Sequence, residues 1–179
     1  CGERFVECAS DALAFVSRAE DPLGSGEYAR RRLIVRSTQH SVSLAVAQAC
    51  VAPRFAEAML TEHMPAVLAL LEPEADAGVR LNAVGMCALI ASEDAHAAAL
   101  AACADGAVVR FAIERLNTAQ DSDALVLRAM RLLRNLLVCA AVRPHVLRAG
   151  VMPALVHAVD VLANPPMLFE AVACFAVAI

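Results

Sequence analysis

Arg128-Ala-Met-Arg131-Leu-Leu-Arg134-Asn135-Leu-Leu, then Val142-Arg-Pro-His-Val-Leu-Arg-Ala-Gly150-Val-Met-Pro153-Ala-Leu-Val156, is the stretch that decides the fold. It reads as an amphipathic helix, a short second helix ended by glycine, and a third helix started near a proline. At ~100° per residue, Leu125, Ala129, Leu132, Leu133 and Leu136 share one arc of the first helix. Arg128, Arg131 and Asn135 fall on another arc. One side is built to be buried, and the other is left for contact.

The pattern recurs at a spacing of 44 residues. Met64, Val108 and Met152 correspond, as do Pro65, Val109 and Pro153. On the long helices Leu44, Ala88, Leu132 and Ala176 line up, followed by Ala45, Leu89, Leu133 and Val177. A further column, Ser41, Gly85, Ala129 and Ala173, is small throughout and lets a neighbouring helix approach closely. Apolar, small and chain-breaking columns coincide at one spacing, which predicts stacked helical units that bury their apolar faces only against each other.

Helical periodicity covers nearly the whole chain. Helices are expected over 1–19, 28–51, 53–60, 64–71, 79–91, 95–104, 107–116, 124–139, 144–149, 151–162 and 167–179. Loops fall where Gly, Pro, Asp and Ser cluster, at 20–27, 72–76, 117–123 and 164–166. No segment alternates persistently as a strand does.

Composition agrees. The apolar fraction is 60% while aromatics are only 4%, so Ala, Val and Leu carry the burial, as in close-packed helices. No run reaches the ~20 apolar residues that a membrane span needs. Seven cysteines without a CxxC pair fit reduced thiols used as small core residues, and the expected compartment is the cytoplasm, with the nucleus as the alternative. A net charge of −4 gives no pull toward nucleic acid. All fifteen basic residues are arginine, the cation that forks onto carboxylate or phosphate. The chain starts at Cys1 and ends at Ile179 inside an apolar helical pattern, which reads as an excerpt of a longer protein that self-associates through an exposed C-terminal end.

In order of short, medium and long helix, the chain resembles the armadillo repeat family. Gly150-Val-Met-Pro153-Ala-Leu-Val156 is similar to the family's glycine-x-aliphatic-proline-x-leucine-valine start of helix 2. Ala129-Met-Arg131-Leu-Leu-Arg134-Asn135-Leu136 is similar to its helix 3 core. The expected fold is therefore all-α, a right-handed α-solenoid of about four three-helix repeats with the first and last incomplete. It forms one domain with units near 1–61, 62–105, 106–149 and 150–179; the HEAT repeat is the neighbouring alternative. The resemblance implies that the long helices line a groove in which the motif asparagine grips the backbone of an extended peptide. Only Asn135 matches that asparagine; its column holds Ala47, Ala91 and Ile179 elsewhere.

No phosphate-binding glycine loop, His-Glu-x-x-His motif or paired Cys/His ligand spacing occurs. Catalysis, metal and cofactor are accordingly not expected. The groove-facing arcs instead give Arg80, Val84, Cys87, Arg128, Arg131, Asn135, Val172 and Phe175 as partner-binding residues. The expected function is a protein–protein interaction scaffold whose partner offers apolar and acidic groups, with no nucleic acid or membrane. The alternative is a regulatory solenoid domain within a larger enzyme.

Overall fold

The structure is a computed structural model, and it describes residues 27–118, 122–161 and 165–179, together with Asp11. The chain is all-α, and no strand occurs among the described residues. The order is α1 (Glu27–Ala49), α2 (Pro53–Glu62), α3 (Met64–Ala69), α4 (Ala77–Ile90), α5 (Asp94–Ala102), α6 (Ala107–Asn117), α7 (Asp123–Val138), α8 (Arg143–Arg148), α9 (Val151–Val161) and α10 (Pro165–Ala178). Each of these lies within a few residues of its expected span; the helix expected over 1–19 lies outside the described residues. The chain divides into two compact units, Cys1–Met86 and Cys87–Ile179, with the division inside α4.

In the first unit, α2 starts on Pro53, which sits in the first helical turn, where no backbone donor is required. It buries Phe55, Ala56 and Met59 and packs against α3, which buries Met64 and Val67. The entry to α4 is fixed by Asp76, whose Oδ1 accepts the Gly78 N–H at 2.9 Å.

In the second unit, α7 is the central helix. Ser122 caps its start, its hydroxyl accepting from the Leu125 N–H at 3.3 Å. The arc Leu125, Ala129, Leu132, Leu133 and Leu136 is buried, as its phase predicts. Helices α5, α6, α8 and α10 all pack on α7, and α9 packs on α6, α8 and α10.

The 44-residue spacing has a backbone counterpart. Gly106 and Gly150 are both left-handed, at φ 78° and 92°. Each is followed at once by an eleven-residue helix, α6 or α9. An L side chain at either position would be strained, which is why glycine suits both turns. The residue 44 before Gly106 is Glu62, and there the chain turns through His63 at φ −123° without a left-handed residue.

The turn before α6 also breaks the apolar run Asp94–Asn117 into two helices. Ala104 and Asp105 sit at φ 46° and 54°, costly for L residues. Arg110 supports them, donating to the Asp105 carbonyl and, at 3.3 Å, to the Ala104 carbonyl.

Candidate binding surface

Three of the expected contact residues lie on α4. Arg80 is half-buried, and its Nη2 donates to the carbonyls of Pro73 and, at 3.0 Å, of Ala75. It ties down the loop ahead of its own helix. Val84 and Cys87 are fully buried. The expectation that a partner inserts apolar groups beside them is therefore corrected: these residues are core. Their arc is apolar because it packs within the fold, and an apolar arc looks the same in sequence whether it faces a neighbour helix or a groove.

Asn135, the residue matching the peptide-gripping asparagine, has its amide engaged inside the chain. Its Nδ2 donates to the Ala88 carbonyl at 2.8 Å. Ala88 lies in the last turn of α4, where carbonyls lose their helical donors. The Ser92 N–H, which could have served Ala88, bonds to Leu89 instead. Asn135 thus caps the end of α4 from α7.

Arg131 is likewise already occupied by an anion. Its Nε donates to Oε1 of Glu170 at 2.8 Å, while Arg134 Nη1 donates to Oε2 at 2.7 Å. The Glu170 side chain is only 6% exposed, against 52% for Arg131 and 32% for Arg134. A buried carboxylate on α10 is held between two arginines of α7 whose other ends reach water. Neither Glu170 nor Arg134 was singled out in the sequence. They lie 36 residues apart, so no local spacing pairs them.

A neutral counterpart sits in the first unit. The buried Asn82 donates through Nδ2 to Ser43 Oγ at 3.0 Å and to the His40 carbonyl at 3.2 Å. Asn82 and Ser43 are 39 residues apart, the same separation as Glu170 and Arg131. Ser43 and Asn82 precede Arg131 and Glu170 by the same distance in sequence, twice the 44-residue spacing. At the intermediate register stand Cys87 and Val126, both buried and apolar.

The remaining expected residues are Arg128, Val172 and Phe175. Arg128 is half-buried, one turn before Arg131. Burial, and secondarily the charge of Arg131, lowers its guanidinium pKa from the usual value. Val172 is exposed and Phe175 half-buried, both on α10. Arg128 and Arg131 are thus brought together on α7, Val172 and Phe175 on α10, while Val84, Cys87 and the Asn135 amide are spent on the fold.

Among the described cysteines, Cys50, Cys87, Cys139 and Cys174 are buried and Cys103 is half-buried. Burial pushes the Cys50 thiol up to about 12. Cys174 also stands at about 12, raised first by burial and then by Glu170, with Arg134 opposing. Such thiols stay protonated and are poor nucleophiles. Among the described residues no group of three His, Cys, Asp or Glu side chains is placed to hold a metal ion. In comparison with known proteins, no family model matches the chain and no curated protein matches it.

Proposed function

We propose that the chain is an armadillo-like α-solenoid acting as a non-enzymatic protein–protein interaction scaffold. The observation that carries this reading is the repeated register. Left-handed Gly106 and Gly150 stand 44 residues apart, each ahead of an eleven-residue helix. The Ser43–Asn82 and Arg131–Glu170 contacts share one separation between successive long helices. Repeats that bury their faces only against neighbours form extended surfaces, and such surfaces serve recognition.

Arg128 and Arg131 are the surface's acid-reading groups. Glu170 engages the Nε of Arg131 and orders its guanidinium, whose exposed end remains able to meet an acidic side chain of an extended partner. A charge-assisted contact there contributes about 1.5–3 kcal/mol when shielded. Selection of a random peptide display library on the immobilised chain tests the reading. Acidic peptides should be enriched, and enrichment should fall with Arg128→Glu and Arg131→Gln. Arg131→Glu is unsuitable, because it sets a second carboxylate beside buried Glu170. No enrichment, or the same peptides recovered on both variants, would sink the proposal.

A further inference from the structure

At three places 44 residues apart a short helix hands over to the next one, and the backbone turns differently at each. At His63, between α2 and α3, φ is −123° and no residue is left-handed. At Gly150, between α8 and α9, the glycine alone is left-handed, and Ala149 ahead of it is right-handed at φ −70°. At Gly106, between α5 and α6, three residues in a row are left-handed: Ala104 at φ 46°, Asp105 at 54° and Gly106 at 78°. Alanine is the best helix former and an unfavourable left-handed residue. Ala104 is also exposed, so burial of its side chain does not hold it there.

The local sequence favours a straight helix instead. Residues 97–104 read Ala-Ala-Ala-Leu-Ala-Ala-Cys-Ala, strong helix formers but for the cysteine. α6 starts without a capping side chain, so the turn leaves first-turn N–H groups that no N-cap side chain answers. In a continuous helix the N–H groups of Val108 and Val109 would donate to the carbonyls of Ala104 and Asp105. In the turned form the Arg110 guanidinium donates to those carbonyls.

Packing beyond the turn is what keeps it bent. α5 packs on α6 and α7. The Cys139 thiol donates to the Asp94 carbonyl at 3.6 Å, and Asn135 Nδ2 donates to the Ala88 carbonyl at 2.8 Å. Each of these contacts joins a residue before the turn to one after it. A second copy of the chain presents the same surfaces, so every one of them can be remade between copies. A short strained turn between two helices that pack together invites this exchange.

We propose that residues 103–106 are a swap hinge. The hinge straightens and joins α5 and α6 into one helix over Asp94–Asn117. Residues 107–179 of each chain then pack on residues 87–102 of the other. The partner is a second copy, and the interface is the one that a single chain makes within itself. This device goes beyond the scaffold reading and uses neither Arg128 nor Arg131.

The test is sedimentation of the 179-residue chain after refolding from denaturant at low and high protein concentration. A dimer should form at high concentration, and two substitutions should move its association in opposite directions. Gly106→Ala strains the turn, at φ 78° and with Cβ 3.0 Å from His145 Nε2, while it improves a straight helix. It should strengthen the dimer by at least about tenfold. Ala104→Gly relieves the turn and weakens the straight helix, so it should weaken the dimer by at least about tenfold. Amide exchange over residues 104–110 should be slower in the dimer, where the helix is continuous. Where Gly106→Ala does not fold, Ala104→Gly decides alone: an intact melt with a weakened dimer supports the hinge, and an unweakened dimer overturns it. A chain that is monomeric at every concentration would overturn the proposal, as would a dimer that both substitutions shift alike. Unchanged exchange across the turn, or a dimer dissolved by Phe169→Glu, would overturn it too, because the contact would then lie away from the hinge.

Discussion

The two polar contacts at one register, Ser43–Asn82 and Arg131–Glu170, solve the same problem with different chemistry. Both join a long helix to the next one. In the first unit the groups are neutral and buried, and Ser43 keeps a second outlet by donating to the His40 carbonyl at 3.0 Å. In the second unit a carboxylate is buried, which is costly unless opposite charge and hydrogen bonds answer it. Two arginines provide both, at 2.8 and 2.7 Å, while remaining partly hydrated. A neutral contact tolerates loss of one member, whereas the ionic one depends on its cations. The two contacts share one sequence separation; side-chain identity sets how strongly each resists change.

The largest effect should follow from breaking the ionic contact on the arginine side. Arg131→Ala with Arg134→Ala strands Glu170 in the interior, at a cost of roughly 3–5 kcal/mol for a buried charge left unpaired. The lower end is expected because Arg131 is half exposed and part of its attraction is screened. Denaturant unfolding measures this, and adding Glu170→Gln to the same background should recover much of the loss. If it does not, the carboxylate is not what makes the arginines important. In the neutral contact, Asn82→Ala should cost about 1–3 kcal/mol, the range for an unmade buried hydrogen bond. Amide exchange should then quicken along α1 and α4; a cost above that of the double arginine variant would reverse the comparison.

The helices were legible because their periodicity is local. Ala107–Asn117 and Val151–Val161 match their expected spans within a residue, and Gly106 and Gly150 mark both starts. The buried arc of α7 was legible too, since alternation of apolar and polar residues at 3.6-residue spacing records which side faces the core. The binding surface was less so. Val84 and Cys87 look like groove residues because an apolar arc carries no label for what covers it. Arg131 looks available because its partner is 39 residues away. The match of Asn135 to a family motif implies a grip on a partner's backbone, whereas its amide bonds to the Ala88 carbonyl in the last turn of α4. Long-range pairing is set by tertiary packing, and a single sequence holds no spacing rule for it.

Alkaline pH sharpens the comparison next, because each unit holds a buried thiol with a raised pKa, Cys50 in the first and Cys174 in the second. Cys50 and Cys174 have folded pKa values of about 12, above the ordinary 9.0. Between those values the unfolded chain releases protons that the folded chain retains. Stability from this source is therefore complete below pH 9 and is lost as pH rises toward 12. The loss is at most about 1.4 kcal/mol per pH unit for each thiol. Glu170→Gln should make Cys174 ionise at lower pH, because the carboxylate charge contributes to holding its proton. Cys50 should not respond, since burial alone raises it. Thiolate ultraviolet absorbance during titration distinguishes the two, using Cys174→Ala to assign the signal. A shift in Cys50 alone would contradict the stated causes.

Salt gives the smallest and most selective test. Raising ionic strength shortens the range of charge interactions but leaves a neutral amide–hydroxyl bond nearly untouched. The exposed ends of Arg131 and Arg134 admit screening, whereas the enclosed Glu170 limits it. The ionic contact should therefore weaken by less than about 1 kcal/mol between low and high sodium chloride, the scale of exposed pairs. Amide exchange in α10 should quicken relative to exchange in α4 around Asn82, once each is normalised to a variant lacking its own contact. Equal responses would mean that Arg131 and Arg134 hold Glu170 chiefly through packing and hydrogen-bond geometry. A larger response at Asn82 would mean that the neutral contact is supported by charges beyond Ser43 and the His40 carbonyl.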